Sequence, residues 1–356
     1  MIKADYKISD EKRIYLDKIL GALNARSEPF YLFGWNIYSK LIFKRYKILG
    51  LLVDESSDQS AEVNLVSLES ARSDVKVICC AGGRPATAMM KLKNAGLQAI
   101  HVFELMAVAN GELGEIHFNE GFASHYTSNL HRYRSVFDDL EDHESKVVLE
   151  KLIAFRVSHD LDYLSGFKYR ENEQYFESFL PPSAGSVFAD VGAFDGYTTS
   201  EFLKFFPDCK ASLVFEPNHD SYNYCLKRFS DDERVRVFNY GLSNFSGKLK
   251  FKKAGSASAI GVDGKDQIQV RAMDSLDIEG VGFLKIDVEG FEYDVLSGAS
   301  ETIRRYKPSI AVACYHGAGP IVELHEFIKG LHPSYKVFIR HYTESIYETV
   351  MFFIPE

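Results

Sequence analysis

The chain has 356 residues, 46% of them hydrophobic and 26% charged, which excludes a disordered or fibrous protein and suffices for two domains with separate cores. A formal net charge of -9 argues against broad nucleic-acid coating and leaves only a local basic run, KLKFKK at 248–253, to meet a phosphate. The five cysteines (Cys79, Cys80, Cys209, Cys225 and Cys314) contain no C-x-x-C pair, so neither a disulfide framework nor a zinc ribbon is expected, and a reducing compartment is.

From the amino terminus, MIKADYKISDEKR lacks the pattern of a secretory leader, and no apolar run reaches the roughly 18 residues needed to span a bilayer. A cytoplasmic protein without a transmembrane segment is therefore expected. Residues 5–25 carry helical spacing through Ile14, Leu16, Ile19, Leu20 and Leu23. A strand at 29–36, a helix at 38–45 and a strand at 47–55 then form a β-α-β unit. It continues with a strand in VKVICCAGGRP, a helix through Ala95, a stop at Gly96 and a strand in LQAIHVFEL. Residues 1–110 read as a small Rossmann-like α/β domain. Asp54 lies twenty positions after Gly34, the interval of a ribose-binding acid, but GWNIYS puts Trp35 and Ile37 where a dinucleotide fingerprint needs small residues. A structural or partner-binding domain is the better reading, and a homo-oligomer could form through it.

Residues 111–185 read as a helical connector that ends in the turn signal PPSAG. Over 186–356 strands and helices alternate again: SVFAD, a helix at 198–206, ASLVFE, a helix at 220–229 and RVRVFN. GKLKFKK and QIQVRAM suggest a hairpin-like insertion; then come GFLKID, a helix at 291–305, SIAVAC, a helix at 320–330, YKVFIR and ETVMFFI. The last two runs are separated only by HYTESIY, too short for a helical crossover, so the parallel sheet should end in an antiparallel edge strand.

Chemistry concentrates at the ends of these strands. Asp190 closes one, Gly192 and Gly196 follow in the turn, and the unpaired amides of the next helix can meet a carboxylate or phosphate. Glu216 in VFEPN ends the next strand, about 24 residues after Gly192, where an acid can accept both hydroxyls of a ribose. The bland alternative is a helix cap at Asp195 and a surface Glu216. In KIDVEGFE, Lys285, Asp287, Glu289 and Glu292 crowd around Gly290, and charge is costly on a buried strand unless it serves a site.

DVGAFDGYT, FEPN, NYGLS and KIDVEGFEYDVLSGA, in this order, resemble the FkbM family of S-adenosylmethionine-dependent methyltransferases over residues 186–356. ENEQYF and the small α/β domain also resemble the amino-terminal extension of members linked to polysaccharide biosynthesis. The resemblance implies a class I methyltransferase fold with the cofactor over the carboxyl ends of the strands. It implies that Asp190, Gly192 and Gly196 surround the methionine portion, with Ala193, Tyr197 and Thr198 of the same loop as further contacts. Glu216, followed by Pro217, would hold the ribose, and Asn239 to Leu242 would flank the adenine. Asp287 counts both as a cofactor contact and as a catalytic residue.

Methyl transfer to an alcohol needs positioning and a base. The candidates are Asp287, His316 in ACYHGAGP, and Lys285, which beside two carboxylates reads better as an orienting ion pair. A structural His316 would cap the helix near Pro320. A divalent metal on the paired carboxylates is the less favoured reading, and no metal ligand is assigned. The loop at 254–266 reads as a substrate lid, together with Tyr175 and Phe176. The leading expectation is O-methylation of a hydroxyl of a sugar or glycan precursor. The alternatives are N- or O-methylation of another small metabolite, and a non-catalytic nucleotide-binding or scaffold protein.

Overall fold

A computed structural model of the chain describes residues 2–54, 63–252, 259–260 and 266–356. It comprises two compact units: Met1–Ser128 with Leu149–Glu171 and Tyr342–Tyr347, and Asn129–Val148 with Asn172–His341 and Glu348–Glu356.

In the first unit, helix α1 (Asp10–Ala25) starts where the Ser9 side chain accepts from Lys12 N, and buries Leu16, Ile19, Leu20 and Leu23. Strands β1 (Phe30–Phe33), β2 (Ile48–Val53), β3 (Leu65–Ser67), β4 (Lys76–Cys79) and β5 (Ala99–His101) form an all-parallel sheet in the order β3-β2-β1-β4-β5. Helices α2 (Ile37–Arg45) and α3 (Pro85–Asn94) are its crossovers, as the apolar spacing requires. The strand expected in LQAIHVFEL stops at His101, because its Nδ1 accepts from Phe103 N at 3.2 Å and starts helix α4 (Val102–Met106) instead.

Among the described residues this sheet shows no dinucleotide site. Asp54 is paired with Lys91. Trp35 packs edge-on against Phe43, 5.9 Å between centroids. At the start of α3, Thr87 N and Oγ1 donate to Glu344 at 2.8 and 2.5 Å, so a carboxylate of the chain itself already fills the favourable position at that helix N-terminus.

Helices α5 (Phe122–Ser128), α6 (Leu130–Asp139) and α7 (His143–Ser158) make up the helical stretch, followed by short 3-10 turns. The second unit is built on seven strands: β6 (Val187–Val191), β7 (Ala211–Phe215), β8 (Val235–Phe238), β13 (Phe283–Ile286), β14 (Ser309–Ala313), β15 (Lys336–His341) and β16 (Thr349–Ile354). Their order is β15-β16-β14-β13-β6-β7-β8, with α8 (Tyr197–Phe205), α9 (His219–Arg228), α10 (Glu292–Ser297), α11 (Ser300–Tyr306) and α12 (Pro320–Leu331) as connections. β14 and β16 are buried along their whole length, the pattern of strands covered on both faces. Phe188 stacks on Phe202 at 4.1 Å and Phe283 lies 5.3 Å from Phe188, forming an aromatic core between sheet and α8.

Two details differ from the expectation. The antiparallel strand is β16, which pairs with both β14 and β15 and therefore sits one place inside the edge. The short link forces the hairpin, but the last strand enters the gap beside β14 rather than the rim. The helix expected at 291–305 is broken into α10 and α11, since a Cβ on Gly298 would fall 1.9 Å from the Ser243 carbonyl oxygen and the chain must turn there.

The insertion is a small sheet of β9 (Gly241–Leu242), β10 (Gly247–Lys252), β11 (Ala259–Ile260) and β12 (Asp266–Arg271), in the order β11-β10-β12-β9. β10 and β12 form the expected antiparallel pair. The loop at 254–266, read as a lid, lies outside the described residues except for β11 and the first residue of β12.

Candidate active site

Six strands of the seven-stranded sheet run in one direction, against β16, so the polar groups at their carboxyl ends are concentrated by topology. The first concentration follows β6 and β7. Glu216 is 6% exposed and accepts from two backbone amides, Phe194 N at 2.8 Å on Oε2 and Asn218 N at 2.7 Å on Oε1. Burial pushes its carboxyl up to about 7, against the lowering effect of those amides and of Lys285. Asn239 Nδ2 donates to the carbonyls of Glu216 and Pro217 at 3.1 and 3.2 Å and so fixes the turn beyond β7. Each Glu216 oxygen retains acceptor capacity beyond its one amide, which fits the hydroxyl pair of a ribose.

The turn after β6 is shaped by close packing. Gly192 has φ +81°, and a Cβ there would lie 1.9 Å from the Asp287 carbonyl oxygen. Gly196 has φ +74°, and its Cβ would meet the Phe229 ring at 2.6 Å. Both glycines are thus accounted for by turn and packing as well as by ligand approach. Asp195 Oδ1 accepts from Tyr197 N at 2.9 Å, but the N-cap of α8 is Gly196 and not the Asp195 of the bland reading. Glu216, by contrast, is not a surface residue. Ala193 is buried beside Val214, Cys225 and Phe229, Tyr197 is exposed, Thr198 is half-buried, and Leu242 is buried in β9.

Asp190 has no exposure. Its Oδ2 accepts from Thr199 Oγ1 at 2.7 Å, and Lys285 Nζ lies 3.1 Å from its Oδ1. Lys285 also donates to the Gly192 carbonyl at 2.8 Å. Burial acts to lower the Lys285 ammonium, but Asp190, Asp287 and Glu216 outweigh it and hold the group above its ordinary range. Lys285 is therefore a cation that ties β13 to the β6 turn.

The second concentration follows β13 and β14. Glu292 opens α10, and its Oε1 accepts from Val288 N at 3.1 Å, Gly290 N at 3.2 Å and His316 Nδ1 at 2.8 Å. His316 therefore does not cap α12, whose N-cap is Gly319. His316 Nε2 lies 3.5 Å from Glu289 Oε2 and 3.8 Å from Asp287 Oδ1. Burial acts against a charged imidazole, yet Glu292, Asp287 and Glu289 prevail and push His316 up to about 9. Burial first, and then Asp287 and Glu292 as like charges, push Glu289 up to about 7.

Access separates these groups. The His316 side chain is fully shielded and that of Lys285 is 3% exposed, whereas Asp287 and Glu289 keep 20% and 18%. A substrate entering here meets the two carboxylates and not the two cations. Asp287, Glu292 and His316 present ligand atoms within 4.8 Å of one another, a spacing suited to a divalent cation. As they stand, His316 Nδ1 and the Glu292 carboxylate are bound to each other at 2.8 Å, and that bond would have to open, with the imidazole neutral, before either atom could ligate a metal.

Four partners escaped the sequence: Thr199 holds Asp190, and Glu348 accepts from Tyr315 OH at 3.0 Å and from Gln174 Nε2 at 2.8 Å. Tyr175, expected as lid material, donates its OH to Asp287 Oδ2 at 2.7 Å. Phe176, named beside Tyr175 as lid material, packs instead on Phe205 of α8, 5.7 Å between centroids. Backbone strain gave the signal that sequence could not: of nine non-glycine residues with positive φ among those described, Tyr175, Phe194, Glu289 and Glu348 lie at these strand ends. Such conformations cost about 1–3 kcal/mol each and persist where surrounding contacts fix them.

Comparison with known proteins bears on the fold and the domain. Residues 190–346 match the family described as the methyltransferase FkbM domain. The 2-O-methyltransferase NoeI of Sinorhizobium fredii is 25% identical over 146 residues, which cover 33% of this chain; the chain spans 59% of that relative. The crystal structure of a methyltransferase FkbM from Methylobacillus flagellatus has a TM-score of 0.76 at 19% identity, covering 99% of this chain and 95% of that one, a likeness of fold. The second unit thus has the class I methyltransferase architecture, and residues 190–346 of the chain are similar to the FkbM methyltransferase domain.

Proposed function

We propose that the protein is an S-adenosylmethionine-dependent O-methyltransferase acting on a hydroxyl of a sugar or glycan precursor. The observation that carries this reading is the pairing of two built ends on one sheet: a buried acceptor at Glu216, and an accessible carboxylate at Asp287 backed by shielded cations. The relative named a 2-O-methyltransferase supports hydroxyl chemistry. The donor would lie across the β6 and β7 turns, with Glu216 on the ribose hydroxyls and Asn239 to Leu242 beside the adenine. Bound there, S-adenosylmethionine would supply an electrophilic methyl group, with S-adenosylhomocysteine as the neutral thioether product.

Asp287 takes the proton that the acceptor hydroxyl gives up, since an alcohol becomes a competent nucleophile as that proton departs. Lys285 and His316 act from behind, fixing the β6 turn and the α10 entry respectively. No metal is needed for these roles. A second reading, an amine acceptor, is favoured by the surplus of carboxylates in Asp287, Glu289 and Glu348. The five cysteines, all buried, fit a reducing, cytoplasmic setting, and no helix among the described residues is long and apolar enough to cross a membrane. The first unit would serve substrate, partner or dimer contacts.

The test is methyl transfer from S-adenosylmethionine to a panel of nucleotide sugars and of matched amines. Methyl ethers formed on a sugar support the reading. Transfer only to amines would replace the acceptor class, and absence of any S-adenosylhomocysteine binding would sink the proposal.

A further inference from the structure

The segment just before the family-matched residues 190–346 enters the cluster at one point. Tyr175 is 4% exposed, has φ +75°, and its hydroxyl meets Asp287 Oδ2 at 2.7 Å across 112 residues of sequence. Its neighbour Gln174 donates to Glu348, which in turn holds Tyr315, so the segment is fastened on a second side. Lys285 Nζ lies 5.4 Å from the centre of the Tyr175 ring. A left-handed tyrosine in such a place is strain that the neighbouring bonds maintain.

Asp287 has basic groups near it. Lys285, engaged with Asp190 and Gly192, feels its charge, and His316 Nε2 stands 3.8 Å from its Oδ1. A carboxylate left to itself in this position would turn into a direct ion pair, because charge-assisted contacts are the strongest available in a buried site. An Asp287 bound that way would have its free oxygen consumed and would be a weaker proton acceptor. The backbone is already fixed, Asp287 N donating to the Val191 carbonyl at 3.1 Å, so only the side-chain torsion remains to be set. The Tyr175 hydroxyl sets it. Burial, reinforced by Asp287 and Glu348, pushes that phenol well above its ordinary range, so it stays a donor at any working pH.

We propose that Tyr175 is a positioning residue for methyl transfer: by binding Asp287 Oδ2 it sets the side-chain torsion and holds Oδ1 short of a direct hydrogen bond to His316 Nε2, leaving it for the acceptor hydroxyl. This rests on the methyltransferase reading and extends the working site upstream of the matched domain. The proton lost from the acceptor O–H is taken by Oδ1, while Tyr175 keeps its own proton throughout.

The experiment uses the full chain and compares Tyr175→Phe, Asp287→Asn and the double variant. Calorimetry with S-adenosylhomocysteine should give wild-type affinity within about twofold for Tyr175→Phe, since the hydroxyl touches no group of the Glu216 end. For methyl transfer to the best acceptor of the nucleotide-sugar panel, kcat should fall about 10- to 100-fold with KM little changed. The double variant should be no slower than Asp287→Asn alone, because Tyr175 acts only through that carboxylate. A crystal structure of Tyr175→Phe should show Asp287 turned toward His316, a readout that needs no acceptor. An unmoved carboxylate, an unchanged kcat or additive losses in the double variant would each overturn the proposal. A wild type that binds no S-adenosylhomocysteine would instead refute the methyltransferase reading on which it rests.

Discussion

The two parallel sheets of this chain share a winding pattern and differ in what their strand ends carry. In the five-stranded sheet, the acid at the ribose interval, Asp54, is spent on Lys91, and the N-terminus of α3 is filled by Glu344. In the seven-stranded sheet, Glu216 is held by amides with acceptor capacity to spare, and Asp287 and Glu289 keep part of their surface open. Like topology therefore gives unlike capability, and function follows from whether the polar groups at the crevice are satisfied by the chain itself or left for a ligand.

The largest effect that can break this contrast is on chemistry. Asp287→Asn should lower kcat by about 10²- to 10⁴-fold, the range for loss of a general base, while S-adenosylhomocysteine affinity stays within a few-fold. A loss below tenfold in single-turnover assays would remove Asp287 from the base role. Glu216→Ala should weaken S-adenosylhomocysteine binding by about 10- to 100-fold, corresponding to hydrogen bonds to a charged group. Asp54→Ala, the counterpart on the other sheet, should leave that affinity unchanged, and calorimetry on the pair sharpens the comparison.

The turns should differ too. Gly192→Ala places a methyl 1.9 Å from the Asp287 carbonyl oxygen at φ +81° and should cost about 1–3 kcal/mol or more in chemical unfolding. Gly83→Ala, in the turn after β4 of the first unit with nothing within 4 Å, should be tolerated. Equal tolerance at both glycines would contradict the packing described for the β6 turn.

The smallest expected effect is on pH dependence. The folded value for His316, about 9, is above its ordinary 6.5, so its stabilising pairing with Glu292 is complete below pH 6.5 and fades as pH rises through about 9. Glu216 and Glu289, raised from 4.5 to about 7, lose their contribution over that lower interval. Chemical unfolding at about pH 7 and about pH 9.5 should show wild-type stability falling and His316→Asn falling less. Identical slopes would mean that the imidazolium pairing is absent.

Much of this was legible in the sequence because local rules decided it. Alternation, glycine stops and the charged ends DVGAFDG, FEPN and KIDVEGFE fixed the sheet and named Asp190, Glu216 and Asp287. What escaped depended on distant pairings. Tyr175 meets Asp287 across 112 residues and Thr87 meets Glu344 across 257, and no local signal at either end announces such a partner. His316 was visible as a candidate, but its charge state depends on three carboxylates from another strand end. The helix at 291–305 and the strand at 97–105 failed for nearer reasons, a backbone contact at Gly298 and a side-chain cap at His101.

The central claim is that the cofactor belongs to the seven-stranded sheet alone. Titration calorimetry of the full chain with S-adenosylhomocysteine and, separately, with NAD tests it most directly. The account predicts one S-adenosylhomocysteine bound per chain, weakened by Glu216→Ala, and no heat from NAD. NAD binding that survives Glu216→Ala, or no binding of S-adenosylhomocysteine, would contradict it.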